Sequence, residues 1–108
     1  MKIKKWNIEA LTGYKPKTTY FEDFSIADNF GIEAIKQTYD MVMKDIKSLG
    51  YIYITELVMA LNWKIWQHYE EGNEKYSRLY DKLWRKAEDY AIKNLKGEEL
   101  SYYFETID

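Results

Sequence analysis

The 108-residue sequence predicts an all-α domain: an antiparallel bundle of three main helices, with an ordered N-terminal segment and a short C-terminal helix or tail packed on it. Three observations carry this reading. Apolar residues recur three and four positions apart through three successive stretches, the spacing of one helix face. Gly50, Gly72 and Gly97 stand at the ends of those stretches, where a left-handed residue closes a helix. The link at Gly72-Asn73 is so short that the helices on either side must fold back on one another.

Residues 1–24 show no periodic pattern. Ile8 to Leu11 suits a single helical turn closed by Thr12-Gly13, and Pro16 keeps Lys15 extended. Ser25 to Asp28 has the form of a capping box with Ser25 as N-cap. The first helix runs from about Ser25 or Gly31 to Leu49. Its stripe is Ile32, Ile35, Tyr39, Val42, Ile46 and Leu49, with Glu33, Gln37, Asp40, Lys44 and Lys47 falling away from it. Tyr51 to Ile54 is β-prone but too short to outweigh the helical pattern after it. A second helix is expected from an N-cap at Thr55 to Glu71, on a stripe of Leu57, Val58, Leu61, Ile65 and His68 with Tyr69. The third, from Asn73 or Glu74 to Lys96, carries Tyr76, Leu79, Tyr80, Leu83, Trp84, Ala87, Tyr90 and Ala91. Leu100, Tyr103, Phe104 and Ile107 share a face in residues 98–108, which fits a short fourth helix or an extended tail.

Composition narrows the chemistry. Aromatic residues make up 18% of the chain, which excludes wholesale disorder. With no cysteine there is no disulfide, thiolate metal site or cysteine nucleophile, and with one histidine no two-histidine metal site. No apolar run approaches a membrane span or a signal-peptide core, so a soluble cytoplasmic protein is expected. The net charge is -2, unevenly placed: residues 1–17 carry five Lys against Glu9, and the rest of the chain is acidic. Fourteen Lys stand against two Arg. Phe, Tyr, Met, Ile, Asn and Lys total 49 residues, while Gly, Ala, Arg and Pro total 14. That balance points to an AT-rich genome and attributes part of the Tyr and Lys excess to codon usage.

Four constellations have both a functional and a structural reading. Glu56, Met59, Trp63 and Trp66 form a second face on the second helix, Met59, Trp63 and Trp66 lying roughly opposite Leu61. Either this helix is central and the terminal segments cover that face, or the face docks a second copy or another protein, for which Trp is a suitable anchor. His68 and Glu71 at i, i+3 could pair as acid and base or begin a metal site. The simpler reading is a border histidine in a last turn, since no further ligands are spaced to join it. Lys2, Lys4, Lys5 and Trp6 form a basic arm with a stacking ring, the combination that touches single-stranded nucleic acid. The paired carboxylates Glu22-Asp23, Glu70-Glu71, Glu88-Asp89 and Glu98-Glu99, and the interleaved charges from Lys75 to Lys96, read as solvated surface. No glycine-rich phosphate loop and no nucleophile elbow is present.

The stretches Ile54–Trp66 (ITELVMALNWKIW), Leu79–Trp84 (LYDKLW) and Lys96–Phe104 (KGEELSYYF) resemble a group of small uncharacterised proteins encoded in prophages and mobile elements of low-GC Gram-positive bacteria. That group implies no activity, cofactor or site residue. The expectation is a non-catalytic protein–protein interaction module without metal or cofactor. It would dock a protein partner or itself as a homodimer through Glu56, Met59, Trp63 and Trp66. The alternative is a nucleic-acid-associated protein using the basic arm.

Overall fold

The computed structural model describes residues 20–49 and 51–107, all within or between five α-helices. They are α1 (Tyr20–Asp28), α2 (Ile32–Leu49), α3 (Tyr51–Glu70), α4 (Glu74–Asn94) and α5 (Glu98–Ile107). The expected turn at Ile8 to Leu11, Pro16 and the stop at Gly50 lie outside the described residues.

The all-α bundle is as the periodicity predicts, with two boundaries moved and one helix added. Ser25 is no N-cap. It lies inside α1, its hydroxyl donating to the Phe21 carbonyl at 2.9 Å, and the chain from Tyr20 on is helical rather than irregular. Phe24 and Ala27, both fully buried, supply the apolar face that the short pattern before Ser25 conceals. Gly31 then separates α1 from α2. Its φ of +103° is open to glycine and strained for other residues, and it lets the chain turn in three residues. Thr55 is likewise no cap: α3 begins four residues earlier, so the β-prone Tyr51 to Ile54 is helical and Thr55 is buried. Tertiary packing on an apolar surface outweighs a four-residue propensity.

The α3–α4 turn closes as the sequence suggests. Gly72, at φ +77°, donates to the Tyr69 carbonyl at 3.1 Å while Asn73 donates to the His68 carbonyl at 2.8 Å, a Schellman closure. Asn73 also caps α4, its side-chain oxygen accepting from the Tyr76 amide at 3.3 Å. The hairpin is antiparallel along its length, and the Ser77 hydroxyl donates across it to the Ile65 carbonyl at 3.1 Å. α4 stops at Asn94, two residues before the expected Lys96, because Leu95 turns extended and buries its side chain. Residues 98–107 are the short helix, not the extended tail.

α3 packs against all four other helices. Ile54, Leu57, Val58 and Leu61 of α3 meet Ile35, Val42 and Ile46 of α2 and Tyr80, Leu83, Ala87 and Ala91 of α4 in one core, with Tyr103 of α5 fully buried beside them. Truncating such a residue, for example Leu61→Ala, costs roughly 2–5 kcal/mol. The stripes of α2 and α4 are all buried or half-buried where described. Tyr69, grouped with the core stripe by its sequence position, is exposed.

Candidate functional site

The central helix α3 presents two unlike surfaces. Trp63, Trp66 and Tyr69 keep 52%, 55% and 67% of their surface open. Trp63 stands edge-on to Phe21 of α1 at 6.0 Å, and Trp66 edge-on to Tyr69 at 5.8 Å. These contacts order the rings without covering them. Met59, one turn before Trp63, is half-buried. Glu56 and Glu70 flank the rings and are exposed, and partial desolvation holds the Glu56 carboxyl above its ordinary value. The only basic residues on α3, Lys64 and His68, are buried, so this face is aromatic and acidic. α5 packs on α3 and α4 yet leaves both tryptophans open, so it is not the cover that a wholly internal face would need.

The other surface turns polar groups inward. Lys64 has no exposed surface at all. Its ammonium donates to Asp28 Oδ2 at 2.6 Å, Gln67 Oε1 at 2.6 Å and Ser25 Oγ at 3.1 Å, which uses its three protons. The same Asp28 oxygen lies 2.9 Å from His68 Nε2, and Oδ1 accepts from the Tyr80 hydroxyl. Asp28, on the last turn of α1, thus ties α1 to α3 and α4. Burial first, and then the charge of Asp28, push the Tyr80 phenol far above its ordinary range, so it remains a donor. The His68 ring stacks on Tyr80, 5.4 Å apart and 7° from parallel, and meets the edge of Tyr76 at 5.3 Å. A carboxylate only accepts here, so Nε2 carries the proton that points at Asp28.

His68 does lie in the last turn of α3, but it is 5% exposed and held by α1 and α4 rather than standing at a border. Its Nδ1 does approach Glu71, with Oε1 at 3.5 Å, as the i, i+3 spacing allows. A buried ammonium needs a counter-charge, and Asp28 supplies it in a place where water does not. Every polar atom of Lys64 and Asp28 is occupied by a protein partner, which makes this cluster a structural tie. Among the described residues, no group of three or more His, Asp or Glu is placed to hold a metal. No helix among them is long and apolar enough to cross a membrane.

Asp28, Lys64 and Tyr80 escape sequence reasoning. One signal for Lys64 exists. Leu57, Leu61, Lys64 and His68 succeed one another at spacings of 4, 3 and 4, so a lysine stands in a core stripe that Ile65 also fits. The basic arm Lys2, Lys4, Lys5 and Trp6 lies outside the described residues. No family model matches this chain, and neither the curated proteins nor the solved structures contain a match to it.

Proposed function

We propose that this chain is a non-catalytic protein-interaction module that docks a partner on the open face of α3, with Trp63 and Trp66 as anchors. The resemblance to small prophage-encoded proteins suggests a phage or mobile-element accessory as its setting. The observation that carries the proposal is the exposure of two tryptophans, 52% and 55%, on a helix that α1, α2, α4 and α5 all pack against.

Size and charge favour one kind of partner. At roughly 200 Å² per aromatic side chain, three rings about half open present on the order of 300 Å². That matches the functional patches of ordinary monomers and falls well short of the roughly 800 Å² per partner of a standard stable interface. The face therefore suits a short apolar segment more than an obligate dimer. Glu56 and Glu70 beside the rings favour a cationic segment, and in a two-fold self-contact they oppose their own copies.

The test is a titration with an 18-residue amphipathic Lys/Leu peptide, monitored by tryptophan emission, beside a Glu/Leu peptide of the same pattern. The Lys/Leu peptide is expected to shift the emission and to bind at least about tenfold more weakly to Trp66→Ala. Light scattering of the same samples reads self-association. A dimer abolished by Trp66→Ala replaces the cationic segment with a second copy. If the Lys/Leu peptide does not bind and no Trp66-dependent self-association is seen, the interaction reading of this face is rejected.

A further inference from the structure

A second concave surface lies between α2 and α4 and shares no residue with the tryptophan face. It is a groove of about 670 Å³, within the range of ligand sites. Ile32 of α2 and Leu79 of α4, both half-buried, give it an apolar floor above the buried Tyr39 and Leu83. Its rims carry Lys36, Lys75, Arg78, Lys82 and Lys86 against a single carboxylate, Asp40.

Two of these cations have partners. Arg78 pairs with Glu74, and the Lys86 ammonium lies over the Tyr39 ring, 5.4 Å from its centre. Lys36, Lys75 and Lys82 have no carboxylate within ion-pair distance among the described residues. Elsewhere on the same helix Arg85 is paired with Asp81 at 3.0 Å. The excess of cations is thus local to the groove, in a chain that is acidic overall.

We propose that the groove between α2 and α4 binds an acidic amphipathic helix of a partner protein, apolar side chains on the floor and carboxylates against the lysine rims. Charge complementarity and the spacing of the rim both favour this occupant. Lys75, Arg78, Lys82 and Lys86 succeed one another at 3, 4 and 4 residues, one cation per turn over roughly 16 Å of α4 at 1.5 Å per residue. A helix laid along α4 has the same repeat, so a carboxylate on each of its turns meets a cation. Nucleic acid fits the groove less well. Its one ring, Tyr39, is 5% exposed and already covered by Lys86, which leaves no platform for a base.

Fluorescence anisotropy of a labelled 18-residue Glu/Leu amphipathic peptide on the full chain tests the proposal, with polyglutamate of equal charge and an 18-nucleotide oligothymidylate as comparators. The Glu/Leu peptide is expected to bind at least about tenfold more tightly than either, with an affinity that falls as salt rises. Lys36→Glu with Lys82→Glu removes that binding, while Lys44→Glu with Lys93→Glu, on the same helices outside the groove, leaves it unchanged. All four positions are exposed, so circular dichroism is expected to be unaltered. Absent peptide binding, equal binding of polyglutamate, tighter binding of the oligothymidylate, or indifference to the Lys36/Lys82 reversal each overturns the proposal. The Lys/Leu peptide and Trp66→Ala read the other face, so the two readings fail separately.

Discussion

Trp63 and Lys64 are neighbours on α3 with inverted fates: the tryptophan is 52% exposed and the lysine has no exposed surface. Intrinsic hydropathy predicts the reverse for each. The difference lies in what the neighbouring helices supply. Lys64 points to where α1 and α4 bring Asp28, Ser25 and Tyr80 within reach, so its charge is neutralised and its protons are used. Trp63 points past the edge of α1, where Phe21 alone meets it among the aromatic rings described. Neither placement is the most stable one for its residue. Half an open tryptophan forgoes roughly 2–3 kcal/mol of burial. A buried ion pair contributes little net stability over an apolar substitute, yet is costly to break. The lesson is that the inner surface of α3 is satisfied by the helices packed on it, while the outer surface is left open by them, which is what the docking proposal rests on.

That contrast sets the order of expected effects. Asp28→Ala leaves the Lys64 ammonium buried without its counter-charge and is expected to destabilise by about 3–5 kcal/mol in urea unfolding. Replacing both, Asp28→Leu with Lys64→Met, recovers most of that loss if the pair is a tie and nothing more, and a double-mutant cycle reads the coupling. Tyr80→Phe keeps the ring against His68 and removes only the hydroxyl that donates to Asp28, an expected loss of about 1–2 kcal/mol. Trp66→Ala is expected to change stability by no more than about 0.5 kcal/mol, the range of surface substitutions. A loss above about 2 kcal/mol there shows that Trp66 belongs to the core and breaks the contrast.

Buried phenols set the response to alkali. Burial, with Asp40 nearby, pushes the Tyr39 phenol up to about 12, and burial raises Tyr80 further. A phenol raised in the folded chain stays protonated there while the unfolded chain ionises near pH 10. Its contribution is full below pH 10 and declines as pH rises towards about 12. Thermal unfolding between pH 8 and 12 is expected to be flat at first and then to fall. Tyr80→Phe is expected to make the fall shallower, and Trp66→Ala to leave its shape unchanged.

Much of the fold is legible in the sequence because α2 and α4 are plain amphipathic helices, whose stripes repeat at 3 and 4 with glycine or asparagine at the turns. α1 is not, since nine residues hold too few turns to show a period and Ser25 imitates a cap. The start of α3 is misplaced by sequence reasoning because local propensity at Tyr51 to Ile54 says strand while the surrounding core requires helix. The open tryptophans are legible as a second apolar face on a helix that already has one. The polar tie is not, because Asp28 and Lys64 are 36 residues apart and only the packing of α1 on α3 brings them to 2.6 Å. Lys64 and His68 alone give a sign of it, by sitting in an apolar stripe.

The openness of Trp63 and Trp66 is the central claim, and acrylamide quenching tests it most directly. In a variant with Trp6→Phe and Trp84→Phe, only these two indoles emit. Red-shifted emission, quenched nearly as readily as free tryptophan and unchanged over a hundredfold range of protein concentration, is the expected result. Blue-shifted emission protected from acrylamide at every concentration would contradict the account, because the face would then be closed by the chain itself.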